Sequence, residues 1–211
     1  MSKQIKGRRA LLASLGTVAA AGAFASKAGA QGTTTPAFAP TLHAEDAWLS
    51  SIPGKHRVVL DVTSLEKMPD VVRFVSNLFT AHKSGYSVDA ADLAIVVLFR
   101  HGATAMGYAD AIWAKYGKSI DARATPPPTT NPFNAGGRTQ LADMAKQGVQ
   151  FMVCGTASRN LAGRIAGQGG NADAVMKEMA ENLIPGSRIV PAGVISVTHA
   201  QERGFALLYV G

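Results

Sequence analysis

Apolar residues recur along the chain in two alternating patterns, as short continuous runs and as longer stretches with helical spacing. The runs at 57–62, 93–99 and 149–153 are short and rich in β-branched residues, which is typical of strands buried in a sheet. The stretch that begins at Pro69 and Asp70 has apolar residues at i, i+3, i+4, i+7 and i+8, as on one face of an amphipathic helix. The two patterns predict that strands and helices alternate.

The run at 93–99 is apolar on both faces, which is expected of a central parallel strand covered by helices on each side. Two more short strands are predicted at 188–190 and 205–210. Further helices are predicted at 105–116, 157–166, 172–182 and 194–203. Because right-handed crossovers join strands that alternate with helices, we predict a single-domain α/β fold with a five-stranded, mainly parallel sheet flanked by helices.

The first 30 residues form a segment of another kind. A basic start that includes Arg8 and Arg9 precedes a mildly apolar, Ala- and Gly-rich stretch that ends at Ala30. This order predicts a signal peptide cleaved after Ala30 and a periplasmic location. A membrane anchor is the competing interpretation, but the stretch falls short of a span of roughly 18–20 strongly apolar residues. The arginine pair resembles a twin-arginine signal and lacks parts of its fuller motif, so the Sec route stays open.

Removing the signal peptide changes the charge of the protein. The whole chain has 21 Lys and Arg against 14 Asp and Glu, a net charge of +7, but residues 1–30 hold five of the basic residues and no acidic one. The mature chain therefore carries 16 basic and 14 acidic residues, a net charge of +2. Since no basic run with interleaved aromatic residues follows, nucleic acid is not predicted as a partner.

Two segments lack the alternating pattern. Residues 31–54 have no periodicity and are predicted to form a flexible lead-in to an α/β domain at 55–211. Residues 121–137 are rich in proline and glycine and are predicted to form a loop. A loop of this length is either a functional or interface element or a plain surface excursion, and the sequence leaves both open.

Cys154 is the single cysteine of the chain, and it stands where a predicted strand ends and a predicted helix begins. Open α/β sheets usually hold their ligands at that edge. Helix N-terminal N–H groups and a nearby cation favour the thiolate form of such a residue. The candidate binding residues beside it are Arg100, His101, Gly155, Thr156 and Arg159. Arg100 and His101 reach this edge if their strand neighbours that of Cys154.

The alternative for Cys154 is a packed thiol that acts as a small apolar side chain. No second cysteine is present to relay sulfur or to form a disulfide within the chain, so a relay requires a partner protein or a small thiol. The five histidines have no metal-ligand spacing, and no metal site is predicted. No cofactor is predicted either, because the glycines at 163–170 follow a helix instead of linking a strand to one. Asp61 and Asp110 have no identifiable partner.

Four short motifs carry a resemblance to a known family. They span 148–156, 183–186, 190–194 and 201–205, and in this order and spacing they resemble the DsrE/DsrF-like (YchN-like) family from about His56 to the C-terminus. The resemblance implies a five-stranded α/β domain that assembles into trimers or hexamers. It also implies persulfide carriage on a cysteine, as in relatives in sulfur metabolism, although many exported members have no assigned activity.

Two functions follow as expectations. The first is an exported sulfur carrier or sulfur-relay component that uses Cys154. The second is a non-catalytic oligomeric module that binds a small ligand or a partner. The sequence does not decide whether the protein is an enzyme.

Overall fold

The computed structural model describes residues 39–134 and 140–211. The predicted signal peptide, the first part of the predicted lead-in and the last part of the predicted loop lie outside these ranges. Within the described residues, no helix combines the length and the apolar character that crossing a membrane requires.

One sheet forms the centre of the fold. Its strands are β1 (His56–Val62), β2 (Leu93–Phe99), β3 (Gln150–Cys154), β4 (Ser187–Val190) and β5 (Ala206–Val210). They lie in the order β4-β3-β2-β1-β5, and every neighbouring pair is parallel. All seven residues of the central strand β2 are buried, as its apolar pattern predicts. The predicted α/β class with a five-stranded parallel sheet is confirmed.

Seven α-helices of the described residues surround the sheet. They are α1 (Ala47–Ser51), α2 (Met68–Tyr86), α3 (Asp110–Ile120), α4 (Gln140–Lys146), α5 (Gly155–Ala166), α6 (Ala172–Glu181) and α7 (Gly193–Glu202). Short 3-10 helices lie at Ala44–Asp46, Leu65–Lys67, Ala90–Asp92 and His101–Gly107.

The helix predicted at 105–116 is wrong in its first part. A 3-10 helix ends at Gly107, and Tyr108 then takes an extended conformation and pairs with Leu183 in an isolated antiparallel bridge. A side chain at Gly107 would place its Cβ 2.2 Å from Val153, so this glycine lets the segment approach β3 closely. The extended backbone at Tyr108 interrupts the helix, and α3 starts only at Asp110.

The predicted lead-in differs from the structure over its second half. Residues 44–51 form a 3-10 helix and α1, although their sequence has no helical periodicity. Leu49 of α1 is fully buried, and the guanidinium of Arg188 lies 3.9 Å from the ring centre of Trp48. These tertiary contacts stabilise a helix too short to form on its own.

Two apolar clusters pack on opposite faces of the sheet. The first joins side chains of β1, β2 and β3 to helices α2 to α6, and the second joins the alternate side chains of the same strands to α1 and α7. Leu98 and Met152 belong to the second cluster. Because side chains alternate along a strand, Cys154, two residues after Met152, also points toward the face covered by α7.

The chain leaves two adjacent strands toward opposite faces of the sheet. After β3 it enters α5, which packs in the first cluster, and after neighbouring β4 it enters α7, which packs in the second. Such a divergence opens a crevice at the carboxyl edge, the usual ligand site of open α/β sheets. Cys154 stands at this point.

Candidate functional site

Cys154 is the last residue of β3, and its register partner in β4 is Val190. The predicted position at a strand end and a helix start is therefore observed. The residue is 7% exposed, and its Sγ accepts a hydrogen bond from the backbone N–H of Gly193 at 3.2 Å. Gly193 is the first residue of α7. The sulfur thus occupies the crevice between the starts of α5 and α7.

Arg100 is a second neighbour of Gly193. A Cβ built on Gly193 would be 3.0 Å from Arg100 Cδ and 3.1 Å from Arg100 Cβ, so the aliphatic part of the arginine packs directly on this glycine. Strands β2 and β3 are neighbours, and Arg100 therefore reaches the same edge as Cys154. The hydrogen bonds that Arg100 donates to Asp61 are the main cause that raises the pKa of Arg100.

Asp61 of β1 holds Arg100 through two hydrogen bonds. Arg100 Nε donates to Oδ1 at 2.6 Å and Nη2 donates to Oδ2 at 2.7 Å, which is the bidentate geometry of a strong charge-assisted pair. The Asp61 side chain is 6% exposed and that of Arg100 is 15% exposed. The partner of Asp61, which could not be identified from the sequence, is therefore Arg100. The signal in the sequence was a carboxylate inside an apolar strand, because such a group is rarely buried without a partner.

The structure also identifies a partner for Asp110. Its carboxylate accepts a hydrogen bond from the backbone N–H of Asn131 at 2.8 Å. This contact lies on the other side of the sheet from Arg100 and fastens the 121–134 loop to the start of α3.

His101 contacts Arg100. Arg100 Nη1 donates a hydrogen bond to the Nε2 atom of His101, because a guanidinium has no acceptor. His101 has a φ of 51°, in the left-handed region, and its side chain is exposed. The structure therefore brings Arg100 and His101 together with Asp61.

The three candidates on α5 contact the connection between β4 and α7. Gly155 is buried, and a Cβ there would lie 2.6 Å from the carbonyl oxygen of Val190. The Thr156 hydroxyl donates to the carbonyl of Pro191 at 3.3 Å, and Arg159 Nη2 donates to Thr156 Oγ1 at 3.5 Å. These contacts position the first turn of α5, and none of them is made to the sulfur of Cys154.

A chain of two hydroxyl groups lies behind Cys154. Ser158 donates to the carbonyl of Cys154 at 2.9 Å, and Tyr108 donates to Ser158 Oγ at 2.5 Å. Both residues are fully buried. Burial is the main cause that raises the pKa of Tyr108 from 10.0 to about 12. No local sequence pattern indicates this pair of hydroxyl groups, because Tyr108 and Ser158 lie 50 positions apart.

Tyr108 is expected to make the protein sensitive to alkali. Its pKa is about 10 in the unfolded chain and about 12 in the fold, so its contribution to stability is complete below pH 10 and is lost as the pH rises toward 12. We expect the free energy of unfolding of the wild type to fall by about 2 kcal/mol more than that of Tyr108→Phe over this range. Urea unfolding at a series of pH values measures the difference. If the free energies of unfolding of the wild type and Tyr108→Phe change in parallel with pH, this prediction is contradicted.

The described residues contain no group of three or more His, Cys, Asp or Glu side chains that is arranged to hold a metal ion. What the site offers is a sulfur atom, an N–H donor at a helix start and an arginine fixed by a buried carboxylate.

Comparison with known proteins leaves this site without an assigned role. No family model matches the chain, and no curated protein matches it significantly. Among solved structures, the chain is similar to a protein of unknown function from Methanobacterium thermoautotrophicum, with 16% sequence identity and a TM-score of 0.44. The similarity covers 74% of this chain and 99% of that one.

Proposed function

We propose that the protein is a sulfur carrier that holds sulfane sulfur as a persulfide on Cys154. The observation that supports this proposal is the placement of the Cys154 sulfur in the crevice between two helix starts, with the N–H of Gly193 bonded to it. Arg100 also packs against Gly193 and supplies a positive charge that Asp61 keeps in place. A helix start and a nearby cation are features of the surroundings in which reactive cysteines are found.

The loading reaction requires a persulfide or polysulfide donor. The Cys154 thiolate attacks the outer sulfur of the donor, and a new S–S bond forms as the donor's S–S bond breaks. The electron pair of the broken bond leaves with the donor, whose thiolate takes up the proton that Cys154 released. The products are the Cys154 persulfide and a donor thiol, without net oxidation.

Unloading requires a separate acceptor. Cys154 is the single cysteine of the chain, so no internal thiol receives the sulfur. A partner protein with a thiol, or a small thiol, must attack the outer sulfur and release Cys154 as a thiolate. In this proposal the protein acts as a relay component.

Intact-mass spectrometry tests the proposal. We expect the wild-type protein, incubated with polysulfide under native conditions, to gain one or more sulfur atoms that a reductant removes, whereas Cys154→Ser gains none. Alkylation of the native protein with iodoacetamide serves as the control for access to the thiol. No adduct on the wild type, with alkylation only after unfolding, would retire the carrier model.

The small exposed fraction of Cys154, 7%, favours a second function. In that case the thiol fills the crevice as an apolar group, and the protein is a binding module without a reactive cysteine. Cys154→Ser then leaves its function unchanged. The mass experiment separates the two functions, because only the first predicts an adduct on the native protein.

We further propose export to the periplasm and assembly into a homotrimer or homohexamer. The basic start with Arg8 and Arg9 supports export. The edge strand β5 supports assembly, because Leu207 and Leu208 are each 39% exposed and Tyr209 is 60% exposed. An open edge with apolar side chains invites pairing with a second copy. Native mass spectrometry of the mature protein measures the number of copies.

A further inference from the structure

Strand β5 forms one edge of the sheet, and its outer side pairs with no other strand of the described residues. Its first four residues are exposed, and the fifth, Val210, is buried. The opposite edge strand, β4, is half-buried, and the guanidinium of its Arg188 packs on the ring of Trp48 in α1. One edge of the sheet is therefore shielded, whereas the other is open to pairing with a further strand.

The backbone of β5 presents two residues to the open edge. The N–H of Thr63 donates to the carbonyl of Val210 at 3.3 Å, so the backbone polar groups of Val210 point toward β1. Because the polar groups of successive strand residues point to alternate sides, those of Tyr209 and Leu207 point to the open side. The N–H and C=O groups of these two residues can pair with another strand.

The side chains of β5 are apolar on both faces of the sheet. Leu208 is 39% exposed, and with Phe74, Leu78 and Tyr86 of α2 it lines a groove of about 360 Å³. Leu207 and Tyr209 point to the opposite face, because side chains alternate along a strand. No charged residue occurs at 205–211. A strand that covers this edge must therefore carry uncharged, apolar side chains on both of its faces.

Strand β5 itself meets these requirements, which favours a second copy of this chain as the partner. Pairing of β5 with β4 of another copy is disfavoured, because β4 is half-buried and Arg188 already packs on Trp48. Pairing of β5 with β5 uses the same surface on both copies, as the two-fold contacts of most homo-oligomers do.

We propose, building on the assembly proposed above, that β5 pairs antiparallel with β5 of a second copy around a two-fold axis at Leu208. In this register Leu207 lies opposite Tyr209 of the second copy, and the two residues exchange both of their N–H···O bonds. The two Leu208 side chains meet at the axis, beside the grooves of the two α2 helices. The sheets of both copies then form one continuous sheet, and the number of copies is even.

Disulfide cross-linking tests the register. In a Cys154→Ser background, Leu208→Cys should give disulfide-linked dimers on oxidation with copper phenanthroline. The Cα atoms of such a non-hydrogen-bonded pair are about 4.5 Å apart, within the span of about 4.4–6.8 Å that a disulfide bridges. Leu207→Cys is the matched control, since Leu207 is also 39% exposed. It lies diagonally across from its own copy, at about 7–8 Å, and should not form a cross-link.

Native mass spectrometry gives a second test. Leu208→Lys places two ammonium groups opposite each other at the axis, where like charges are destabilising. We expect the number of copies to fall by half, from a homohexamer to a homotrimer or from a homodimer to a monomer. Val194→Lys is the charge control, since Val194 is 60% exposed on α7 and lies outside β5 and the groove. A cooperative urea transition of Leu208→Lys verifies that the variant is folded.

The pairing is overturned if Leu208→Cys gives no linked dimer, if Leu207→Cys links equally well, or if Leu208→Lys keeps the wild-type number of copies. A homotrimeric wild type also overturns the pairing, but it leaves the proposed assembly standing. A monomeric wild type overturns both. The polysulfide experiment measures the mass of each denatured subunit, so failure of the sulfur-carrier proposal is distinguishable from failure of the pairing.

Discussion

Replacing Arg100 by methionine is expected to lower the free energy of unfolding by about 3–5 kcal/mol. The substitution keeps much of the aliphatic volume that packs on Gly193, but it removes both hydrogen bonds to Asp61. The carboxylate of Asp61, whose side chain is 6% exposed, would then be buried without a compensating charge. Urea unfolding at neutral pH measures the loss.

The double variant Asp61→Leu with Arg100→Met is the control. It removes the uncompensated carboxylate together with the arginine, and replacing a buried pair by apolar groups is often neutral or stabilising. We expect the double variant to recover most of the stability that Arg100→Met loses. If the single and double variants are equally destabilised, the loss comes from packing around Gly193, and the burial of an uncompensated Asp61 carboxylate does not cause it.

Replacing each of two glycines of α5 by alanine is expected to change the free energy of unfolding in opposite directions. A Cβ at Gly155 would lie 2.6 Å from the carbonyl oxygen of Val190 and 3.1 Å from that of Pro191, and both are backbone atoms that move only with β4 and its connection to α7. Overpacking of this kind costs about 1–3 kcal/mol. The structure has open space around a Cβ at Gly163, inside the same helix. There, alanine should stabilise by about 0.8–1 kcal/mol.

Thermal and urea unfolding of Gly155→Ala and Gly163→Ala measure the stability of each variant relative to the wild type. The helix, the residue change and the added volume are the same, so the difference reports the environment alone. Because Gly155 follows Cys154, its variant should also change the alkylation rate of the thiol, whereas Gly163→Ala should not. Equal stabilities for the two variants would show that α5 starts farther from β4 than the structure has it.

The sequence predicts the elements of the fold better than their contacts. The β2 run is apolar on both faces and could hardly belong anywhere except the centre of a parallel sheet. The break before α3 was missed because it depends on the bridge from Tyr108 to Leu183, a contact that local periodicity does not contain. Likewise, α1 is too short to be recognised from its own residues and depends on burial of Leu49.

The candidate site is likewise predicted in the position of its elements but not in its contacts. The position of Cys154 follows from a strand pattern that ends where a helix pattern begins, and the sequence contains both. Gly193 was not predicted as a donor to the sulfur, because it lies 39 positions away on a helix that covers the opposite face from α5. The pairing of Asp61 with Arg100 spans another 39 positions and requires the parallel alignment of β1 with β2. Only tertiary structure brings such residues together.

The strand order has a consequence for the way the chain is made. Strand β5 pairs with β1, although all other described strands lie between them in the sequence. During synthesis on the ribosome the N-terminal part of the chain is made first, so β1 to β4 emerge before β5 and can pair with one another. One edge of β1 then has unpaired N–H and C=O groups until β5 emerges. Closure of this edge of β1 is therefore among the last steps in making the sheet.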